Sequence, residues 1–177
     1  DRLEKAGAEI VDCTIDDLIE KLGEATRIGS IAGLEASRVH ADWLGDETAR
    51  VDDRVKVSLR RRILVADAAI SALLQTRHAL TLAMDERLSP YDLIALPTTP
   101  IAAVSIASVD NDAKEYDRVE SLLLRNCQVA NQFDLTAITL PMPGLVRPAG
   151  LMLVGRNGTD ATVLSVALSA EALLQEN

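Results

Sequence analysis

Aromatic rings are almost missing from this 177-residue chain: Trp43, Tyr91, Tyr116 and Phe133 are all it has. Aromatic side chains carry the largest buried areas. A core made without them must be assembled from Ala, Leu, Val and Ile, either by compositional bias or because other chain completes it. Cysteine is nearly as scarce. Cys13 and Cys127 cannot form a disulfide framework, which fits a reducing, cytoplasmic setting. Positive charge is also short, with 18 basic against 27 acidic residues and a net charge of −9. Phosphate neutralisation dominates nucleic-acid affinity, so that partner is disfavoured, as is an anionic membrane surface. No apolar run approaches the roughly 20 residues of a membrane helix.

Catalytic groups are equally sparse. The two histidines, His40 and His78, sit in helical stretches without metal-ligand spacing to cysteine or carboxylate, so no metal or other cofactor is expected. Asp110, Asp112 and Glu115 lack the glycine a calcium loop needs. The glycines from Gly150 to Gly158 flank a strand instead of opening a helix, so they make no phosphate cradle. Cys127 with His78 is weighed as a nucleophile and base against a buried structural thiol, and the structural reading is preferred. Arg60, Arg61 and Arg62 read as a solvated helix face before an anion clamp.

With 48% apolar and 25% charged residues, the chain has the composition of an ordered domain. It reads as a single α/β unit over residues 1–177 without internal boundary: a mixed β-sheet flanked by helices. A helix end stopped at Gly7 leads to a strand over Glu9–Asp12. Helical spacing runs from Ile15 to Trp43, with Gly23 and Gly29 as weak points. A long helix follows over Val55–Arg87, with Ile63, Ile70, Leu73, Leu74, Leu80 and Met84 as its apolar stripe. Strands are expected at Tyr91–Leu96, at Ile138–Met142 and at Gly150–Arg156. They are separated by a helix over Arg118–Gln132 and followed by one capped at Thr159 or Asp160 and ending near Leu174. The strands around Ile10, Leu93, Ile138 and Leu153 are expected in one sheet. YDLIALPTTPIAA stands out, because a strand running into two prolines around two hydroxyls feeds a rigid loop. Loops at strand ends are where sites are commonly built.

Taken in order, YDLIALPTTPIAA, RNCQVANQFDLTAITLPMP and RPAGLMLVGRNGTDATVLSVALSAEALL resemble the C-terminal part of the amidase signature family. The fitting positions are Asp92, Pro97, Thr98, Pro100, Arg125, Asn126, Asn131, Pro141, Gly150, Gly155, Asp160, Leu164 and Glu171. LEKAGAEIVD and IAGLEAS resemble the segment after that family's catalytic core. The resemblance implies hydrolysis of a small-molecule carboxylic amide through a Ser-Ser-Lys acyl-enzyme mechanism. None of the four lysines, Lys5, Lys21, Lys56 and Lys114, stands beside a Gly-Ser-rich serine cluster. No catalytic residue is therefore assigned in this chain. The expectation is that those residues lie upstream in the same amidase and that residues 1–177 alone are inactive and prone to self-association. Thr98, Asn126, Cys127 and Asn131 are the residues expected to line or brace the substrate cleft. The pattern departs from the family at Asp134 and Thr136, where glycine and proline are usual, and at Cys127, where threonine is usual. Glutaminase-type members that make amide-charged transfer RNA resemble one another in an Asp at the position of Leu124. Its absence weighs against the amidase-like subunit of a glutamyl-tRNA amidotransferase. A non-catalytic α/β binding or interaction module is the other alternative.

Overall fold

A computed structural model describes residues 2–175. The chain divides into two compact units, residues 16–83 and residues 1–15 with 84–177.

The unit over residues 16–83 is entirely helical. Helix α1 (Arg2–Lys5) belongs to the other unit, so this one begins with α2 (Asp16–Ala25), buried through Leu18 and Leu22. The helix expected from Ile15 to Trp43 is in fact three. Gly23 is tolerated inside α2, but Gly29 takes φ 127°, a conformation only glycine adopts without strain, and ends the run. Ser30 then caps α3 (Ile31–Val39) by accepting a hydrogen bond from the Gly33 amide. His40 separates α3 from α4 (Ala41–Leu44). Its Nδ1 accepts a hydrogen bond from the Trp43 indole at 3.1 Å.

The helix expected over Val55–Arg87 is likewise two, α5 (Asp53–Arg62) and α6 (Asp67–Leu88). No glycine or proline marks the break. Side chains stabilise it instead: Arg62 folds back onto the Ser58 carbonyl, 2.8 Å away, and Asp67 pairs with Arg38. The apolar stripe shifts accordingly. Leu73, Leu80, Met84 and Leu88 are buried, whereas Ile63 and Leu74 are exposed. Arg60 donates to the Leu44 carbonyl at 2.7 Å and to Glu47, so it tethers α5 to the end of α4.

The other unit holds the sheet. Strands β1 (Ile94–Pro97), β2 (Thr136–Pro141) and β3 (Gly150–Gly155) lie in the order β1-β3-β2, both pairs antiparallel. Leu93 precedes β1, Ile94 pairs with Val154 and Ile138 with Leu153, so the strands around Leu93, Ile138 and Leu153 share one sheet as expected. The expected strand at Glu9–Asp12 is absent. Ile10 and Val11 are exposed coil, because two apolar residues without a ladder partner cannot sustain a strand. The expected α/β sheet is present, but among the described residues it is three strands, all antiparallel and not mixed, since no further strand joins its edges.

Period-two alternation divides β3 between two cores. Leu153 joins Leu140, Ala167, Ala170 and Leu174 under α8 (Asp160–Gln175). Met152 and Val154 join Ala130 of α7 (Ala113–Gln132), with Ile94, Leu96 and Cys127 packed beside them. Helix α7 starts five residues before the expected Arg118, because Asp112 accepts hydrogen bonds from the Lys114 and Glu115 amides. At its other end Asp134 adopts φ 59°, and the Leu135 amide reaches back to the Ala130 carbonyl at 2.9 Å. That is the turn a C-terminal glycine normally makes. Among the described residues, no helix is long and apolar enough to cross a membrane.

Candidate active-site wall

On the α7 face of the sheet the rows run Ile94, Leu96, Thr98 along β1 and its extension. In the central strand they run Val154, Met152, Gly150, and in β2 Ala137, Thr139, Pro141, by the pairing register. Each row begins apolar and reaches a hydroxyl or glycine further along. The polar end is where the Pro-Thr-Thr-Pro loop leaves β1.

That loop is held from several sides. The Thr98 amide extends the β-ladder by donating to the Gly150 carbonyl at 2.9 Å. Asn126 Nδ2, on α7, donates to the Pro97 carbonyl at 2.7 Å, and Cys127 Sγ lies 3.7 Å from the Thr98 carbonyl as a donor. The Thr98 hydroxyl meets that of Thr139 at 3.1 Å. Thr99 Oγ1 donates to the Ile101 carbonyl at 2.9 Å, closing the loop on itself. The next loop is tied in by Arg147, whose Nη1 donates to the Ala103 carbonyl at 3.0 Å.

Three of the four residues picked from sequence, Thr98, Asn126 and Cys127, thus converge on one peptide segment. Asn131 is exposed on α7, about 6 Å further along the axis than Cys127 at 1.5 Å per residue. Sequence reading missed Thr139 and the anchoring role of Arg147. Alternation within TAITLP places Thr139 on the α7 face, but only the register reveals its partner.

Chemically the cluster offers hydroxyls, a carboxamide and a thiol whose hydrogen is engaged by a carbonyl. It provides hydrogen bonds and shape and no activated nucleophile. The carboxylates displaced from their ordinary range are not members of it. Hydrogen bonds from Arg54 lower Asp52 to about 2, and those from Arg118 lower Glu115. Among the described residues no three His, Cys, Asp or Glu side chains could hold a metal ion together. A narrow crease at the opposite end of the sheet, lined by Leu88, Tyr91, Asp92, Leu93, Val154 and Arg156, is too tight to seat a substrate.

The fold is shared with solved hydrolase and amidase structures. The allophanate hydrolase of Kluyveromyces lactis superposes with a TM-score of 0.81 at 21% identity, over 99% of this chain and 28% of that one. A crystal structure described as an amidase gives 0.76 at 22%, over 97% and 39%. In sequence, the family described as Amidase matches residues 1–164, and the chain belongs to it. The 2-amino-5-chloromuconic acid deaminase of Comamonas testosteroni is 28% identical over 98% of this chain and 37% of its own length. The fatty acid amide hydrolase of Medicago truncatula is 28% identical over 97% of this chain and 28% of its own length. The chain therefore spans about a third of the length of these curated relatives.

Proposed function

We propose that the chain forms part of an enzyme that hydrolyses a carboxylic amide by acyl transfer. The match to the Amidase family over residues 1–164 carries this reading. In it, a serine attacks the amide carbonyl while a lysine-linked second serine takes its proton. The amine leaves with that proton, and water then hydrolyses the serine ester. None of the lysines stands beside a Gly-Ser-rich serine cluster in the sequence, so the nucleophile and base would be contributed by other residues of the enzyme. The role left for this chain is a wall: Thr98, Asn126, Cys127 and Asn131 line or brace the cleft in which the amide sits. Its support is the convergence of three of them on Pro97–Thr98. The substrate is a small-molecule amide.

The test is hydrolysis of a panel of aryl and aliphatic amides by the full-length protein, with mass spectrometry of the intact chain during turnover. A transient acyl adduct on serine is the expected result. Activity without any serine adduct, or none on any amide, would defeat the proposal and favour a non-catalytic interaction module. Residues 1–177 expressed alone should show no turnover, since removing a nucleophile–base unit costs on the order of a millionfold.

A further inference from the structure

Thr139 lies in β2 and Thr98 directly follows β1, the two outer strands of the sheet, with β3 between them. A hydroxyl pair spanning a central strand is ordinarily blocked by the side chain in the middle, because neighbouring strands lie only about 4.8 Å apart. Here the middle position is Gly150. A β-carbon built on it would overlap Thr98 Oγ1 and Thr139 Cγ2. The glycine is therefore a gap, and the 3.1 Å contact between the hydroxyls passes across it.

The contact has a consequence for Thr98. Its main chain is already fixed on both sides, by the amide bonded to Gly150 and by the carbonyl facing Cys127. The remaining freedom is rotation about χ1, which for a β-branched residue has few wells. The Thr139 hydroxyl selects one of them. A threonine hydroxyl has one proton and two lone pairs; Thr98 Oγ1 donates its proton to Thr139 Oγ1, so the Thr98 oxygen keeps its lone pairs to accept a hydrogen bond from a ligand. With Asn126 fixing the preceding carbonyl, the group left adjustable in this part of the wall is that hydroxyl pair.

We propose that Thr139 is a positioning residue: acting across the Gly150 gap, it fixes the Thr98 hydroxyl as a hydrogen-bonding group for the polar end of the amide substrate. This rests on the amidase reading above and deepens it. Thr139 itself makes no contact with substrate. Its loss should be felt in binding more than in the chemical step, because the hydroxyl holds substrate and transition state alike.

The experiment compares Thr139→Val, Thr139→Ser, Thr98→Val and the Thr98→Val/Thr139→Val double variant in the full-length protein. Thr139→Val keeps shape and removes the hydroxyl. It should lower kcat/KM about five- to tenfold, chiefly through KM, and Thr139→Ser should restore it to within about twofold. The double variant should be no worse than Thr98→Val, since both break one interaction. Unchanged KM in Thr139→Val, failure of Ser to rescue, or losses that multiply in the double variant would each overturn the proposal. A second readout separates this from the fate of the functional reading. If no amide is turned over, the χ1 rotamer of Thr98, read by NMR from its three-bond side-chain couplings, decides. One rotamer should dominate in the wild type, average in Thr139→Val and return in Thr139→Ser, and the same couplings in all variants would reject the positioning role.

Discussion

The two units of this chain solve the same problem by different means. In residues 1–15 with 84–177, backbone polar groups are satisfied by a sheet, and stability comes from apolar layers on both of its faces. In residues 16–83 the helices are short, four to ten residues before α6 begins, and their ends are closed by side chains. Arg60 takes a carbonyl of α4, Arg62 one of α5, and Asp52 and Ser30 take amides at helix starts. Short helices leave a large share of their backbone groups unpaired, so polar side chains finish what strand pairing finishes in the other unit. Packing governs the sheet unit and capping governs the helical one.

The largest expected effect tests the packing half. Phe133 is completely buried where α7 ends, and Phe133→Ala should cost about 3–5 kcal/mol in urea unfolding. A loss below about 1 kcal/mol would show that apolar packing does not govern this unit. The capping half is next. Arg60→Ala should cost about 1–2 kcal/mol by orphaning the Leu44 carbonyl, whereas Glu47→Gln, at an exposed ion pair, should cost under about 0.5 kcal/mol. Equal losses from the two changes would mean that the ion pair matters and the cap does not.

Asp134 sharpens the comparison at one residue, as a position in the sheet unit that depends on local backbone conformation. With φ at 59°, Asp134→Gly should stabilise by up to about 1 kcal/mol, the gain limited by loss of the 2.8 Å bond from Asn157. Asp134→Ala should destabilise by a similar amount, and thermal melts that rank Ala above Gly would refute the assignment.

The smallest effect is a pH dependence in the helical unit. Arg54 lowers Asp52 from 3.8 to about 2 by bonding its charged form. A carboxylate more acidic in the folded state stabilises it above the unfolded pKa and loses that contribution as pH falls from 3.8 towards about 2. Acid unfolding should accordingly be shallower across that window in Asp52→Asn. A curve parallel to the wild type would mean that the cap does not persist in solution.

The class of fold was legible because β3 and its flanking strands carry clean apolar runs bounded by proline and glycine. Helix breaks were legible only where a residue type enforces them. Gly29 announces itself, but the break at Ile63–Ala66 depends on Arg62, Ser58, Arg38 and Asp67 finding one another, which no local pattern displays. The reverse error occurred at Ile10, where a strand-like pair of residues has nothing to pair with. In the candidate wall, Thr98 and Asn126 were readable because they lie within contiguous motifs. Thr139 was not, because its meaning depends on register across a third strand and on what Gly150 lacks.

The single indole of this chain, bonded to His40, has a spectroscopic consequence. Trp43 lies in the helical unit, while both tyrosines, Tyr91 and Tyr116, lie in the sheet unit. Light absorbed selectively by the indole therefore reports residues 16–83, and tyrosine signals report the remainder. Replacing His40 with alanine would remove the acceptor of the indole N–H and change the emission of that one fluorophore. The scarcity of rings makes the protein its own two-channel probe, in which the melting of capped helices and of the packed sheet can be followed separately in one cuvette without a label.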